Sequence, residues 1–265
     1  MDRKGLLSLD GRVAFVSGAG QGVGRAAALR FAEHGCATVI VNDFFGDRAE
    51  AVCADVEALG ARAIPAVFDV TDYEAAREAV TAAARQAGGL DIVVNNAGNA
   101  GPTADMTRVP FFIETGPEEW ESWLGPNLYG VLHVCRAALP IMVEQGRGGS
   151  VINVISDAGR VGEPRLAVYS GAKAGAAAFS RALAKEVGRN NIRVNAVSLS
   201  GIKTPGIAHL LSDPEIVKRI EKQYPLGRMG QPEEPANMIL FLASDASVWI
   251  TAQTYPVNGG YAISQ

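Results

Sequence analysis

Cysteine is scarce in this chain: three residues, Cys36, Cys53 and Cys135, among 265. An odd number at unrelated spacings supports neither a disulfide scaffold nor a zinc site, and reads as buried free thiols in a reducing compartment. Histidine is as thinly spread, with His34, His133 and His209 far apart, so no metal site is expected. No apolar run approaches the roughly 18 residues that a membrane span needs. Near the start, Asp10 and Arg12 interrupt the stretch where a secretory signal would have its apolar centre. A block of like charge is missing too. The 24 basic and 28 acidic side chains leave a formal charge of −4, which offers nothing to nucleic acid or to an anionic membrane. These absences lead to the expectation of a cytoplasmic protein whose partner is a small molecule.

What is present is a regular alternation. Apolar, β-branched runs at 12–17, 37–42, 61–68, 90–96, 150–156, 192–198 and 254–258 read as strands, most of them continuous enough for parallel strands covered on both faces. Between them lie helix-like stretches. Three capping boxes stand at Thr71–Glu74, Thr115–Glu118 and Ser212–Glu215. The segment 73–86 places Ala76, Ala79, Val80 and Ala83 on one stripe. Hydrophobic residues make up 48% of the chain and no Pro/Gly/Ser-rich seam or repeat divides it. The expectation is therefore one α/β domain over 1–265: a doubly wound, Rossmann-like parallel sheet of about seven strands with helices on both faces.

Directly after the first expected strand comes SGAGQGVGRA, carrying Gly18, Gly20, Gly22 and Gly24. Glycines let a backbone turn tightly and come close to a phosphate, while a helix N-terminus offers unpaired N–H groups and positive dipole charge. Position 23 is Val23, so the pattern is G-x-x-x-G-x-G over Gly18, Gly22 and Gly24 rather than G-x-G-x-x-G. Asp43 closes the second strand. A carboxylate there can accept both ribose hydroxyls of an adenosine and would repel a 2′-phosphate. Phe44 follows it, the next basic residue is delayed to Arg48, and the loop residue before Gly22 is the neutral Gln21. These features favour NAD(H) over NADP(H).

Tyr169 and Lys173 are four residues apart, so on a helix both project from one face. Ser156 stands at the end of the fifth expected strand, and open α/β sheets place ligands at that carboxyl edge. A free tyrosine, with a pKa of about 10, is a poor base at neutral pH. A nearby cation stabilises the phenolate, and a downward shift of about three units is expected from Lys173 together with an oxidised nicotinamide. Ser156 would donate to the substrate oxygen.

Taken in order, SGAGQGVG, NNAG (Asn95 to Gly98) and YSGAK (Tyr169 to Lys173) resemble the short-chain dehydrogenase/reductase family, and the likeness runs from about residue 9 to about 262. That resemblance implies an NAD-dependent oxidoreductase with Asn127, Ser156, Tyr169 and Lys173 as its catalytic group. It places Asp69 and Val70 beside the adenine. Asn96, Ala97 and Gly98 would lie under the cofactor, with Asn95 mainly structural. Gly201, Ile202 and Thr204 would hold the nicotinamide, and Lys173 its ribose. Asn127, within a long helix, would hold a water that relays a proton from Lys173. The resemblance also implies a homotetramer built on the helices around 118–145 and 166–189. Two departures stand out: Ser200-Gly201 replaces the usual Pro-Gly, losing a fixed φ angle, and Pro126 replaces an aliphatic residue before Asn127.

Substrate choice is expected to come from two loops beyond the strand ends. One, 99–120, carries Phe111 and Phe112; the other, 201–227, offers Ile207, Leu210 and Leu211 as an apolar lid, with Asp157 beside Ser156 at the mouth. Together they favour a hydrophobic secondary alcohol or ketone, of steroid, cyclic-alcohol or hydroxyacyl type. Two alternatives remain: an NADPH-dependent carbonyl or 3-oxoacyl thioester reductase, and a non-catalytic nucleotide-binding protein on the same fold.

Overall fold

Continuous Val/Ile runs form strands buried on both faces, and the period of two sends alternate side chains to opposite layers. The computed structural model describes residues 5–99 and 109–263. Seven strands appear within them: β1 (Val13–Val16), β2 (Thr38–Asp43), β3 (Arg62–Val67), β4 (Ile92–Asn95), β5 (Gly149–Ser156), β6 (Ile192–Leu199) and β7 (Thr254–Val257). They make one sheet in the order β3-β2-β1-β4-β5-β6-β7, with every pairing parallel. Each lies within two residues of an expected strand. The two edge strands carry prolines, Pro65 and Pro256, where a missing N–H is tolerated.

One layer is formed by α1 (Gly22–Glu33), α2 (Gly46–Ala58) and α10 (Glu233–Ala243), whose Phe31, Val52 and Ile239 pack with Ala14, Val39 and Ile92. The other is formed by α3 (Tyr73–Ala87), α5 (Gly130–Gln145) and α7 (Ala167–Val187), whose Val80, Val134 and Leu183 pack with Phe15, Ile40 and Val93. Neighbouring residues of one strand thus serve opposite cores. The remaining helices are short: α4 (Pro117–Leu124), α6 (Ala158–Val161), α8 (Ala208–Leu211) and α9 (Pro214–Glu221).

Two local expectations are corrected. Each of the three helices with a capping box starts one residue later than Thr71, Thr115 and Ser212 suggest. Asp72 and Asp213 are the N-caps, accepting from Ala75 N and from Glu215 N and Ile216 N, while Gly116 precedes Pro117. Aspartate caps as well as serine or threonine, and proline is favoured at the first helical position. The long helix around Asn127 is also not regular. Pro126 has no amide hydrogen to continue the ladder, and Gly125–Tyr129 widens into a single π turn between α4 and α5.

Candidate active site

The winding of the sheet reverses between β1 and β4, and an open α/β sheet has its crevice there, beyond the carboxyl ends of the strands. The loop after β1 meets this crevice first. Gly18 (φ 59°) and Gly22 (φ 57°) adopt left-handed backbone, and a Cβ on Gly24 would lie 2.3 Å from the Gly18 carbonyl oxygen. The loop is stitched to β4: Asn96 Nδ2 donates to Ser17 O (3.1 Å) and Gly18 O (3.0 Å), and Ser17 Oγ accepts from Asn96 N and Ala97 N. Gln21 caps α1 through its backbone position alone, without a side-chain hydrogen bond. The first amides of α1 are therefore not capped by that side chain, which suits a phosphate.

Asp43 is buried at the end of β2. Its Oδ2 accepts from Gly20 N at 3.0 Å and its Oδ1 from Phe45 N at 3.0 Å. Phe44 is exposed beside it, against the Phe45 ring. Arg48 leans its guanidinium over Phe45, 4.4 Å from the centroid, and its Cβ comes against Gly20, so a basic side chain stands at the loop's rim. Asp69 turns the chain by accepting from Thr71 N. Val70 and Val23 are buried in the two cores. Ile202 likewise packs into the core with α10. Thr204 is placed differently, its Cγ2 lying 3.1 Å from where a Gly22 Cβ would be.

At the carboxyl edge of β4 and β5 the four expected catalytic side chains come together. Lys173 is buried and its Nζ donates to Val154 O at 3.1 Å. Its Nζ stands 5.9 Å from the Tyr169 ring centroid. A Cβ on Gly98 would lie 2.6 Å from Asn127 Oδ1 and 3.1 Å from Lys173 Nζ, so these two groups converge on Gly98. Asn127 is fully buried in the π turn; its Nδ2 donates to Asn99 O (2.9 Å) and Trp123 O (2.9 Å), and its Oδ1 accepts from Asn99 N (3.3 Å). Ser156 Oγ accepts from Ala158 N and interacts with the Tyr169 phenol.

The protein alone sets the starting point for these two groups. Burial pushes the Tyr169 phenol up, opposed by the Ser156 hydroxyl, and burial pulls Lys173 down to about 8. Both groups are withdrawn from water, which disfavours the phenolate and the ammonium alike.

Asp157 does not join this group. Its carboxylate is taken up by Ser198 Oγ (2.6 Å), Arg160 (2.7 Å) and Asn258 Nδ2 (2.6 Å), which tie the end of β5 to β6 and to the chain after β7. Both of its oxygens are held inside the fold, not at the mouth where a substrate contact was expected. Of the loop residues, Phe112 stacks on Trp120 (5.4 Å between centroids) and lines an open cleft beside α7. Phe111 lies outside that lining. Ile207 and Leu211 are half-buried in the 3₁₀ turn Pro205–Ile207 and in α8, away from the cleft lining; the side chain of Leu210 and residues 100–108 lie outside the described residues.

Sequence reasoning missed three contributors. Trp123 stands one helical turn before Asn127, its ring 6.0 Å from that of Tyr169. Asn99 brackets Asn127. Tyr224 is buried, and its hydroxyl accepts from Gly201 N at 2.8 Å, while Ser200 Oγ donates to Asn258 O at 3.2 Å. These two bonds hold the loop after β6 where proline is absent. The spacing of Trp123 to Asn127 was a usable signal; nothing local marks Tyr224.

Residues 18–262 match the family described as enoyl-(acyl carrier protein) reductase. The chain is 37% identical to the 3-oxoacyl-[acyl-carrier-protein] reductase FabG of Thermotoga maritima, over 97% of this chain and 100% of that protein. Carveol dehydrogenase from Mycobacterium avium, solved with NAD, superposes with a TM-score of 0.89 at 31% identity, covering 96% of this chain and 98% of its own. Gluconate 5-dehydrogenase from Burkholderia cenocepacia, solved with NADP and tartrate, gives a TM-score of 0.89 at 30% identity, covering 98% of this chain and 99% of its own.

Proposed function

The chain belongs to the short-chain dehydrogenase/reductase family and is an oxidoreductase; from that premise we propose that it transfers hydride between NAD(H) and a hydrophobic secondary alcohol or ketone. The observation that carries the reading is the convergence of Tyr169, Ser156, Lys173 and Asn127 on the same sheet edge as the glycine loop and Asp43. The donors present fit a dinucleotide: left-handed glycines and the α1 amides for the phosphates, Asp43 for the adenosine ribose, and Thr204 facing Gly22 across the loop. When bound, the nicotinamide supplies the hydride acceptor or donor.

The protein's own work is at the oxygen. Tyr169 removes the proton from the substrate hydroxyl, or returns it in the reverse direction. Without substrate the Ser156 hydroxyl favours the ionised phenol, and with substrate bound its one proton is donated to the substrate oxygen, where negative charge develops. Lys173 sits within the field of that phenol and reaches Asn127's neighbourhood across Gly98, the direction in which a proton would leave the site. Asn127 fixes the backbone of the loop after β4, so that Gly98 and Asn99 keep their places.

Carveol dehydrogenase carries NAD and gluconate 5-dehydrogenase NADP. Asp43, buried and hydrogen-bonded in place, supports NAD here because a 2′-phosphate would approach a fixed carboxylate. A second reading, reduction of a 3-oxoacyl thioester, is favoured by the name and 37% identity of the Thermotoga relative. A panel of steroids, cyclic alcohols and β-hydroxyacyl thioesters, assayed with NAD⁺ and NADP⁺ at the nicotinamide absorbance, separates the two. Turnover of apolar alcohols with NAD⁺, abolished in Tyr169→Phe while NADH still binds, supports the first. Turnover confined to thioesters with NADP⁺ replaces it with the second, and NADH binding without any turnover marks a non-catalytic member. The family expectations of a homotetramer and a cytoplasmic location belong to the same proposal; no helix among the described residues is long and apolar enough to cross a membrane.

A further inference from the structure

Arg165 departs from the pattern of the site's other charged groups. Arg160, three residues after Asp157, is paired with it. Arg165 instead stacks its guanidinium on Phe111, 4.0 Å from the ring centroid, and donates through Nη1 to the Val109 carbonyl at 2.5 Å. Among the described residues no carboxylate forms an ion pair with it. Its backbone is left-handed, φ 69°, a conformation that costs a non-glycine residue energy and persists only where the surroundings impose it.

The side chain so held borders the open cleft whose other walls include Phe112, Trp120, Trp123, Val109 and Val168. Val168 precedes Tyr169, and the Trp123 ring lies 6.0 Å from the tyrosine ring. An apolar, aromatic-walled cleft thus shares Trp123 with the surroundings of the proton-transferring tyrosine and carries a cation on its rim. A guanidinium fixed by a carbonyl and a ring still has donors for a planar carboxylate, and it loses little freedom in binding one.

We infer that Arg165 reads a carboxylate on the substrate, so that the enzyme acts on a cyclic or otherwise apolar secondary alcohol whose far end bears a single negative charge. The inference rests on the oxidoreductase reading above. A monoanion suits the site better than a phosphate, because Glu119 lines the same cleft.

The test compares 4-hydroxycyclohexylacetate with its methyl ester as substrates of the NAD⁺-loaded enzyme. The ester is the more apolar of the two, so a preference for the acid cannot come from burial in the cleft. A kcat/KM ratio of about tenfold or more in favour of the acid is expected, falling towards one in Arg165→Gln, shrinking with added salt, and partly kept in Arg165→Lys. A ratio near one in the unaltered protein, or one that survives Arg165→Gln, overturns the inference. Binding of 4-oxocyclohexylacetate and its ester, followed by quenching of tryptophan fluorescence, is read in parallel. Absence of turnover with both alcohols counts against the redox reading, while selective binding of the keto acid, lost in Arg165→Gln, still supports the anion site. Equal binding of acid and ester leaves Arg165 as a purely structural clamp and sinks it.

Discussion

The Lys173 ammonium stands 5.9 Å from the centroid of the Tyr169 ring, with its hydrogen bond given to the Val154 carbonyl. Burial pulls Lys173 down to about 8 from 10.5. Between those values the unfolded chain binds more protons than the native one, so stability rises with pH across that window. At pH 7 the full cost of holding a buried ammonium is present, on the order of 3 kcal/mol. Lys173→Met keeps the length of the side chain and removes the charge. Denaturant unfolding at pH 7 should show a gain of stability of about 1–3 kcal/mol, and the rise between pH 8 and 10.5 should flatten. Alcohol oxidation should fall by about 100-fold or more in the same variant. A variant both less stable and fully active would contradict the assignment on each count.

Ser156 acts on the phenol in the direction opposite to burial, holding it lower than desolvation alone would leave it. A base works in its deprotonated form, so oxidation should rise with pH through the Tyr169 ionisation. Ser156→Ala removes the lowering influence, and the inflection of kcat/KM should move to higher pH. Activity at pH 7 should fall by roughly 100-fold, as for other single donors to a developing oxyanion. An unmoved inflection in the pH–rate profile would separate the serine from the tyrosine.

Asp43 gives a test of cofactor choice that leaves the catalytic group untouched. Asp43→Asn keeps one oxygen for Gly20 N or Phe45 N and removes the charge. The ratio of kcat/KM for NAD⁺ over NADP⁺ should drop by about tenfold or more, because the repelling carboxylate is gone and Arg48 already stands at the loop's rim. Steady-state kinetics with both cofactors on one alcohol measure it.

The strands were readable because β-branched runs buried on both faces leave little else for the chain to do, and every one fell within two residues of its place. The site was readable where its members share a helix or a strand end, as Tyr169 with Lys173. Asp157 shows the limit. One residue beyond Ser156 the chain has already left the strand for the helical turn that starts α6, and the partners of Asp157, Ser198 in β6 and Asn258 just after β7, lie 41 and 101 residues away. The Pro126 departure was visible, yet its outcome, a π turn with Asn127 clamped to Asn99, depends on where β4 delivers the chain. Contacts made only by tertiary folding, such as Tyr224 against Gly201, leave no local mark.

The loop after β6 illustrates the same point and yields the last prediction. A Pro-Gly pair would fix this backbone by its own covalent geometry. Ser200-Gly201 relies on side chains instead: Ser200 Oγ donates to Asn258 O, and Tyr224, buried and packed against the Tyr261 ring, accepts from Gly201 N. Gly201 cannot exchange this partner for a side chain of its own, since a Cβ there would lie 2.5 Å from the Tyr224 hydroxyl. Tyr224→Phe preserves the ring and removes the acceptor, leaving an amide without its partner at a cost of about 1–3 kcal/mol. Because Thr204 lies three residues further on, against Gly22, the loosened loop should raise KM for NAD⁺ several-fold. KM for the alcohol should change less, since Tyr169 and Ser156 are carried by other elements. Ser200→Pro introduced into the same variant should restore the KM for NAD⁺, because a fixed φ would then replace the lost hydrogen bond. A KM that does not move in Tyr224→Phe would show that the loop holds its shape without that hydroxyl.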